Sequence, residues 1–497
     1  MSMDQFPVFL IAVPLTLVPL SFFVFKLHWS VRAFAIWGLG LVTLLSWVPL
    51  TGRIVFDLEL PLLAYMGNWD PELGIVLGLD MVAALLLPVM NTVILLGASI
   101  GYKPSEHVPI PFFPLWFLLA AGTNGLVVTS DLFNAYVFLE ITSICSHALV
   151  AYRGDGYAFE SAFKYLVAGL VGSAFLLWGI IALFASTGTL SLSVLVERLA
   201  DAPGPLVAAG FALIVCGLFV KLAIVPFHIW KPDGLSGAPS AVAGTLSGVV
   251  LSAALVLLLR VLVGLGGLGT VDLVGRAIAE PLKGVLFALG LASVVVGHSL
   301  ALVQSRLTRM LAYSSVGHFG VMLLALSVST TAAVAALLFH AMNHAVMKSG
   351  MFFLAAGARA ERGGDRIRAL GGYLRGKPLE TIACAVFMLA LIGVPPTAGF
   401  ASKWAIVVQL VQAGSLVAAV IVALGGVISV PYYLRAFRIM AGGTTPTAVA
   451  VQADPRQFAT RAALTVGVVY LFAAFVLSGS VFALSETAVT SLLEALL

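Results

Sequence analysis

Fourteen apolar stretches, most of them about 20 residues long, dominate this chain and fix what it can fold into. They fall at 6–26, 31–50, 76–100, 112–130, 132–151, 160–184, 206–229, 238–262, 283–303, 309–328, 332–358, 379–410, 413–436 and 461–483. Each is long enough to cross the hydrocarbon core of a bilayer as a helix. No polar stretch between them is long enough for a soluble domain. The chain has 497 residues, of which 61% are hydrophobic and 10% charged, against about 25% charged in a soluble domain. Mean hydropathy is +1.10. The pattern predicts an all-α polytopic membrane protein with about fourteen transmembrane helices. The segment MSMDQFP before the first run has no basic residue, so that run reads as an uncleaved helix and not a signal peptide.

Charge gives the orientation. The chain holds 26 Lys+Arg, of which 18 fall in odd-numbered loops and 5 in even-numbered ones, Arg260 among the latter and Lys231 among the former. The positive-inside rule then puts the odd loops in the cytoplasm and both termini outside a cell membrane. Loop 359–377 is the most basic. It reads either as a positive-inside anchor or as a docking surface for a cytoplasmic partner. The net charge of +4 is small, and no nucleic-acid partner is expected. The three cysteines, Cys145, Cys216 and Cys384, lie in apolar runs without CxxC spacing. They read as packing residues, not as a metal or disulfide framework.

Three lysines remain: Lys221, Lys348 and Lys403 lie inside long apolar runs. A lysine at a bilayer centre costs roughly 2.5–3.5 kcal/mol, so these positions are expected to handle ions. Span 7 has Lys221 followed by Pro226, and span 12 has Pro395-Pro396 followed by Lys403. Proline removes an N–H and clashes with the preceding turn, so both spans should be broken helices. They are five spans apart, with proline and lysine in opposite order. Two five-helix units, spans 4–8 and 9–13, would therefore be inverted repeats with a transport site near mid-membrane. The expected units are 1–110, 111–265 for the first repeat, 280–440 for the second, and 455–497 for the last helix.

Other polar residues fall on the same spans. Glu140 lies about two turns into span 5. Burial favours its neutral form and a nearby lysine its charged form, so a Glu–Lys pair could switch between them, as a proton relay needs. A buried, neutral carboxyl satisfied by a neighbour is the alternative. His228 follows Pro226 nearer the membrane surface, and reads equally as a structural hydrogen bond or as a point of proton access. In FHAMNHAVMKSG, His340, His344 and Lys348 are spaced i, i+4, i+8 on one helix face. A polar stripe that passes protons fits better than a metal site, because no acidic ligand is near and the stripe ends in a cation. Plain interhelical hydrogen bonding is the other reading. His318, with Ser314 and Ser315, sits in span 10 roughly where Glu140 sits in the other repeat, and imidazole suits a relay near neutral pH. Asp80, Asp131 and Asn134 read as structural. No Walker loop, Rossmann fingerprint or cysteine cluster occurs, so no nucleotide, flavin, iron–sulfur or other cofactor is expected.

The stretches TSDLFNAYVFLE, VKLAIVPFHIWKPDGLSGAPSAVAGTLSG, LTRMLAYSSVGHFG, LFHAMNHAVMKSGMFF, LGGYLRGKPL and GVPPTAGFASKW together resemble one family. It is that of the antiporter-like subunits shared by respiratory complex I and Mrp-type multisubunit cation/proton antiporters. SDLFNAYVFLE and the lysine after PPTAGF look most like the D subunit of Mrp antiporters. Relatives in membrane-bound hydrogenases and sulfane reductases look similar, and FHIWKPDGLSGAP is similar to the N subunit of complex I. The resemblance implies fourteen helices with two inverted five-helix repeats, broken helices 7 and 12, and a hydrophilic axis in mid-membrane. It implies that Glu140 pairs with Lys221 and that Lys403 connects the axis to the outside.

Two positions depart from the family pattern. Ser252 stands where a basic residue of span 8 usually links the two half-channels, and KPDGLSGAP lacks the usual histidine. The route expected from these residues runs from Lys221 along His344 and Lys348 toward Lys403. The resemblance implies a proton- or cation-translocating subunit, working with other integral membrane subunits and not catalytic alone. An Mrp-type sodium/proton antiporter D-like subunit is the first reading. A proton-pumping membrane-arm subunit of a complex I-like NADH/quinone oxidoreductase or group 4 hydrogenase is the alternative. A non-conducting scaffold and a subunit of an inorganic-carbon uptake system are two further ones, although a scaffold has no reason to keep three costly lysines.

Overall fold

The computed structural model describes residues 3–27, 30–72, 74–101, 112–199, 202, 204–264, 275–442 and 456–496; Lys103 of the charge count lies outside them. Helices α1 (Phe6–Lys26) and α2 (Val31–Phe56) lead into strands β1 (Leu62–Tyr65) and β2 (Val76–Leu79). The strands pair antiparallel, Leu62 opposite Leu79. Then follow α3 (Met81–Gly101), α4 (Phe112–Val128), α5 (Leu132–Ala151), α6 (Gly156–Thr187), α7 (Leu192–Arg198) and α8 (Gly204–Leu222). Next are α9 (Trp230–Gly237), α10 (Ser240–Thr245), α11 (Leu251–Gly264), α12 (Gly275–Leu302), α13 (Leu307–Val328) and α14 (Thr331–Arg362). The last five are α15 (Pro378–Ile392), α16 (Ala398–Gln412), α17 (Leu416–Gly442), α18 (Arg456–Val476) and α19 (Ser478–Leu496).

Apart from a short hairpin, the described residues form an all-α polytopic membrane protein. Among the described residues, eleven helices are long and apolar enough to cross a membrane, and α4 and α15 are apolar but shorter. Polar side chains start several helices where the sequence turns from polar to apolar. Asp131 accepts from Asn134 N at 2.7 Å before α5, and Asp155 accepts from Ala158 N at 2.8 Å before α6. Each satisfies an orphan N–H of the first turn. The outer helices α1, α2, α6 and α17 expose Phe23, Trp37, Phe163, Trp178 and Val427, as faces toward lipid must. The centre is α14, which packs against α3, α10, α13, α15, α16, α18 and α19. His340, His344 and Lys348 on α14 are fully buried.

Several expectations need correction. Residues 76–79, read as the start of span 3, form β2, because Asp80 caps α3 by accepting from Ala83 N at 2.8 Å. The last span is not one helix over 461–483: α18 stops at Val476 and α19 continues to Leu496. Arg260 is not a loop residue. It is 2% exposed within α11, and its guanidinium donates to Asp80 Oδ2 and to the Val127 carbonyl, both at 2.8 Å. Lys231 is not a loop residue either; it is fully buried at the start of α9.

Both expected breaks are present. The chain leaves the helix after Leu222 and regains it at Trp230, with Pro226 between. Ala223 there takes the left-handed region at φ 56°, which a residue with a Cβ rarely adopts. The second break lies between Ile392 and Ala398 and contains Pro395 and Pro396. Gly393 at φ 93° ends α15, the backbone position where glycine is favoured. The run 379–410 is therefore two helices of 15 residues each. The second break lies toward α14, because a Cβ on Gly399, at the start of α16, would fall 2.8 Å from Met347 Sδ.

Candidate functional site

The first break places a charge pair. Lys221 lies one residue before the end of α8, and its ammonium is 3.6 Å from Glu140 Oε1 on α5. It also donates to Ser143 Oγ at 2.9 Å, while Ser173 on α6 donates to the same Glu140 oxygen. The side chains are 9% and 24% exposed, so each charge is held by the other and by hydroxyls. His147, two turns after Glu140, joins them. A Cβ on Gly169 would lie 3.1 Å from His147 Nε2 and 3.8 Å from the Lys221 ammonium, so the bare glycine lets both approach α6. His147 packs edge-on against Tyr165 at 4.3 Å, and Tyr165 stacks on Trp230 at 4.3 Å.

A second cluster lies around α14. His318 Nδ1 and His340 Nε2 are 3.1 Å apart, and His340 Nδ1 is 2.9 Å from Ser402 Oγ on α16. Ser402 donates to the Ala398 carbonyl at 3.0 Å. With the Ser402 proton on that carbonyl, His340 Nδ1 donates to Ser402, its Nε2 accepts and His318 Nδ1 donates; with the Ser402 proton on His340 the order is reversed. The row ends at His318 Nε2, a buried atom with no hydrogen-bond partner among the described residues. His344 Nε2 is 2.9 Å from Ser315 Oγ, which is 2.9 Å from Ser247 Oγ. Ser247 lies in a π-helical segment, Leu246–Val250, leading into α11, and single π turns inside helices are frequent at functional sites.

Lys403 follows Ser402, and its ammonium donates to the carbonyls of Leu391 at 2.6 Å and Ile392 at 3.1 Å. These are the last carbonyls of α15, left without intrahelical partners, and the negative end of a helix suits a cation. Lys348 turns elsewhere. It donates to the Leu311 carbonyl at 3.1 Å, to Ser314 Oγ at 2.8 Å and to Tyr433 OH at 3.3 Å. The hydrogen bonds that reach Ser402, the neighbour of Lys403, come from His340 and not from Lys348. His228 lies outside both clusters, 6.3 Å from the Tyr313 ring. Ser252 spends its hydroxyl on the Gly248 carbonyl of its own helix, at 2.7 Å.

Four polar groups were missed in the sequence. His147 was hidden because it follows Glu140 by seven residues in a run rich in hydroxyls; that spacing, two turns on one face, was the available signal. His298 on α12 was passed over as a lone histidine, yet it sits 5.9 Å from His318 and 3.1 Å from Tyr432 OH. Tyr433 stood in a run that hydropathy reads as lipid-facing. Lys231 reads as a loop residue because Pro232-Asp233-Gly234 follows it; the preceding Ile229-Trp230 marks the segment as partly apolar.

These features define a polytopic membrane protein whose interior carries a row of ionisable and hydroxyl side chains between two broken helices. The chain belongs to the NADH:quinone oxidoreductase/Mrp antiporter transmembrane family, whose model matches residues 129–429. It is 34% identical over 383 residues to NADH-quinone oxidoreductase subunit N of Desulforudis audaxviator, covering 75% of this chain and 74% of that one. It is 35% identical over 339 residues to subunit N 2 of Sorangium cellulosum, covering 66% of each. Among solved structures, it matches a chain of the archaeal membrane-bound sulfane sulfur reductase with TM-score 0.89 and 29% identity, over 99% of this chain and 100% of that one. A chain of the Mrp complex of Dietzia sp. matches with TM-score 0.85 at 21% identity, covering all of both, which shows the fold alone. The family expectation holds. The curated relatives carry the name subunit N and do not single out the Mrp D subunit.

Proposed function

We propose that this chain is the proton-translocating subunit of a redox-driven multisubunit membrane complex. The observation that carries the reading is the Glu140–Lys221 pair, 3.6 Å apart at the point where α8 ends. An ion pair set among apolar helices is costly unless each charge answers the other. Moving one of the two charges therefore changes the proton affinity of the other. A proton loaded on Lys221 leaves when Glu140 is neutralised, and continues through His344, His318, His340 and Ser402 toward Lys403. The electrons run in partner subunits, and the chain is not catalytic alone. The subunit N names of the relatives and the respiratory sulfane reductase support a redox drive. Sodium/proton exchange in an Mrp-type complex is the second reading, favoured by the SDLFNAYVFLE segment and the lysine after PPTAGF.

In this reading the chain crosses the cell membrane fourteen times, counting α4, α14 and the pairs α8–α9 and α15–α16, with the loops rich in Lys and Arg in the cytoplasm. Residues 111–265 and 280–440 act as inverted repeats, and the two breaks supply their matching half-sites. Residues 1–110 and 455–497 flank them. Inverted membrane vesicles test the drive. Addition of NADH or hydrogen without sodium is expected to acidify their lumen, and Glu140→Gln to slow this by roughly tenfold or more. A pH gradient that instead responds to added sodium, with no electron donor, selects the exchange reading.

A further inference from the structure

Ser252 is turned back on its own helix, so no titratable side chain of α11 joins the Glu140–Lys221 pair to the histidines of α13 and α14. The geometry points to Lys231 as the proton-carrying link between them. This rests on the translocation reading above.

Lys231 is fully buried, and its ammonium has no hydrogen-bond partner among the described residues. A cation so placed is rare unless something makes use of it. Its ammonium lies over the Phe319 ring, 4.7 Å away, within the range of a cation–π interaction, and the titratable groups whose charge it feels are His228, His344 and Lys348. The same ring packs edge-on against His344 at 5.2 Å. Lys231 and His344 therefore share Phe319 as a common wall. His344 Nδ1 is buried and has no hydrogen-bond partner among the described residues, while its Nε2 is taken by Ser315.

Toward the other half, Trp230 anchors α9 to α8 by donating to the Val220 carbonyl at 2.9 Å, one residue before Lys221. Trp230 also stacks on Tyr165, which touches His147 beside Lys221. Beside Lys231 is a cavity of about 10 Å³, lined by Tyr165, Trp230, Leu246 and Val250 among others. That is roughly the room one water needs. It opens against the π-helical segment of residues 246–250. Asp233, on the same short helix, lies in a different setting: it is ion-paired with Arg309 and, at 3.1 Å, with Lys164. It fixes α9 without neutralising Lys231.

The step is a proton transfer in each direction. The Lys231 ammonium gives a proton to His344 Nδ1, through a water where the gap requires one, and is left as a neutral amine. That amine then takes the next proton from the Lys221 side, so charge is conserved. A lysine suits this because a buried ammonium can lose its proton, which a guanidinium does not do.

The test measures lumen acidification in inverted vesicles holding the whole complex, with subunit content checked for each variant. Lys231→Arg keeps the charge and the contact with Phe319 but cannot release a proton. It is expected to lower the rate roughly tenfold or more with assembly unchanged. Lys231→His restores a titrating group of lower proton affinity, and is expected to recover transport with a rate profile moved to lower pH. Undiminished transport in Lys231→Arg, while Lys221→Ala abolishes it, overturns the link and leaves the translocation reading standing. Undiminished transport in Lys221→Ala as well sinks that reading itself. Should Lys231→Arg fail to assemble, Lys231→His decides: an acid-shifted profile supports the link, and a profile equal to the parent's overturns it.

Discussion

Arg260→Met is expected to prevent stable accumulation of the protein, and Arg260→Met with Asp80→Asn to restore most of it. Asp80 and Arg260 are 3% and 2% exposed and 2.8 Å apart. Removing the guanidinium leaves a carboxylate buried without its counter-charge, which costs about 3–5 kcal/mol where such pairs have been broken. The pair also joins distant parts of the fold, since Arg260 on α11 reaches both Asp80 before α3 and the Val127 carbonyl on α4. In the double variant no net charge remains at the site. Asn at position 80 still caps α3, because asparagine serves as well as aspartate at that position. Protein level in the membrane and thermal unfolding of the purified chain check both variants. A single variant as stable as the parent would show that water or other groups already neutralise Asp80.

Lys403→Met is expected to reduce proton translocation roughly tenfold or more while leaving the complex assembled. The Lys403 ammonium is the group that meets both the Leu391 and Ile392 carbonyls at the end of α15. It also follows Ser402, the last hydroxyl of the His318–His340 row. Methionine matches the stem in volume, so packing around Gly393, whose added Cβ would meet Lys403 Cδ at 3.0 Å, is largely kept. The two carbonyls lose a donor, at about 1–3 kcal/mol each if no water replaces it. That is tolerable for a buried core of this size, and transport falls because the row ends without a proton acceptor. Acidification measured in inverted vesicles, against subunit content, separates the two effects.

Much of this was legible in the sequence. The apolar runs gave the helical membrane class, and Pro226 and Pro395-Pro396 located both breaks because a missing N–H and a ring clash act locally. Glu140, Lys221, His318, His340, His344 and Lys403 stood out because ionisable groups are rare in such runs. What stayed hidden depends on long-range placement. Lys231 looked like a loop residue because the groups it meets are distant in the chain, Phe319 among them, 88 positions later. Arg260 looked like an interfacial charge because its partner Asp80 is 180 residues away. The strand at Val76–Leu79 was read as helix because its apolar composition does not distinguish the two, and the pairing with Leu62–Tyr65 decides it. The turn of Lys348 toward Ser314 and Tyr433, away from His340, cannot be read from i, i+4, i+8 spacing alone.

The most direct test of proton translocation through the Glu140–Lys221 pair is lumen acidification by inverted vesicles carrying the fully assembled complex with Lys221→Ala. Acidification driven by the electron donor is expected to be lost, with the other subunits present in parental amounts. Acidification at the parental rate in that variant would contradict the account.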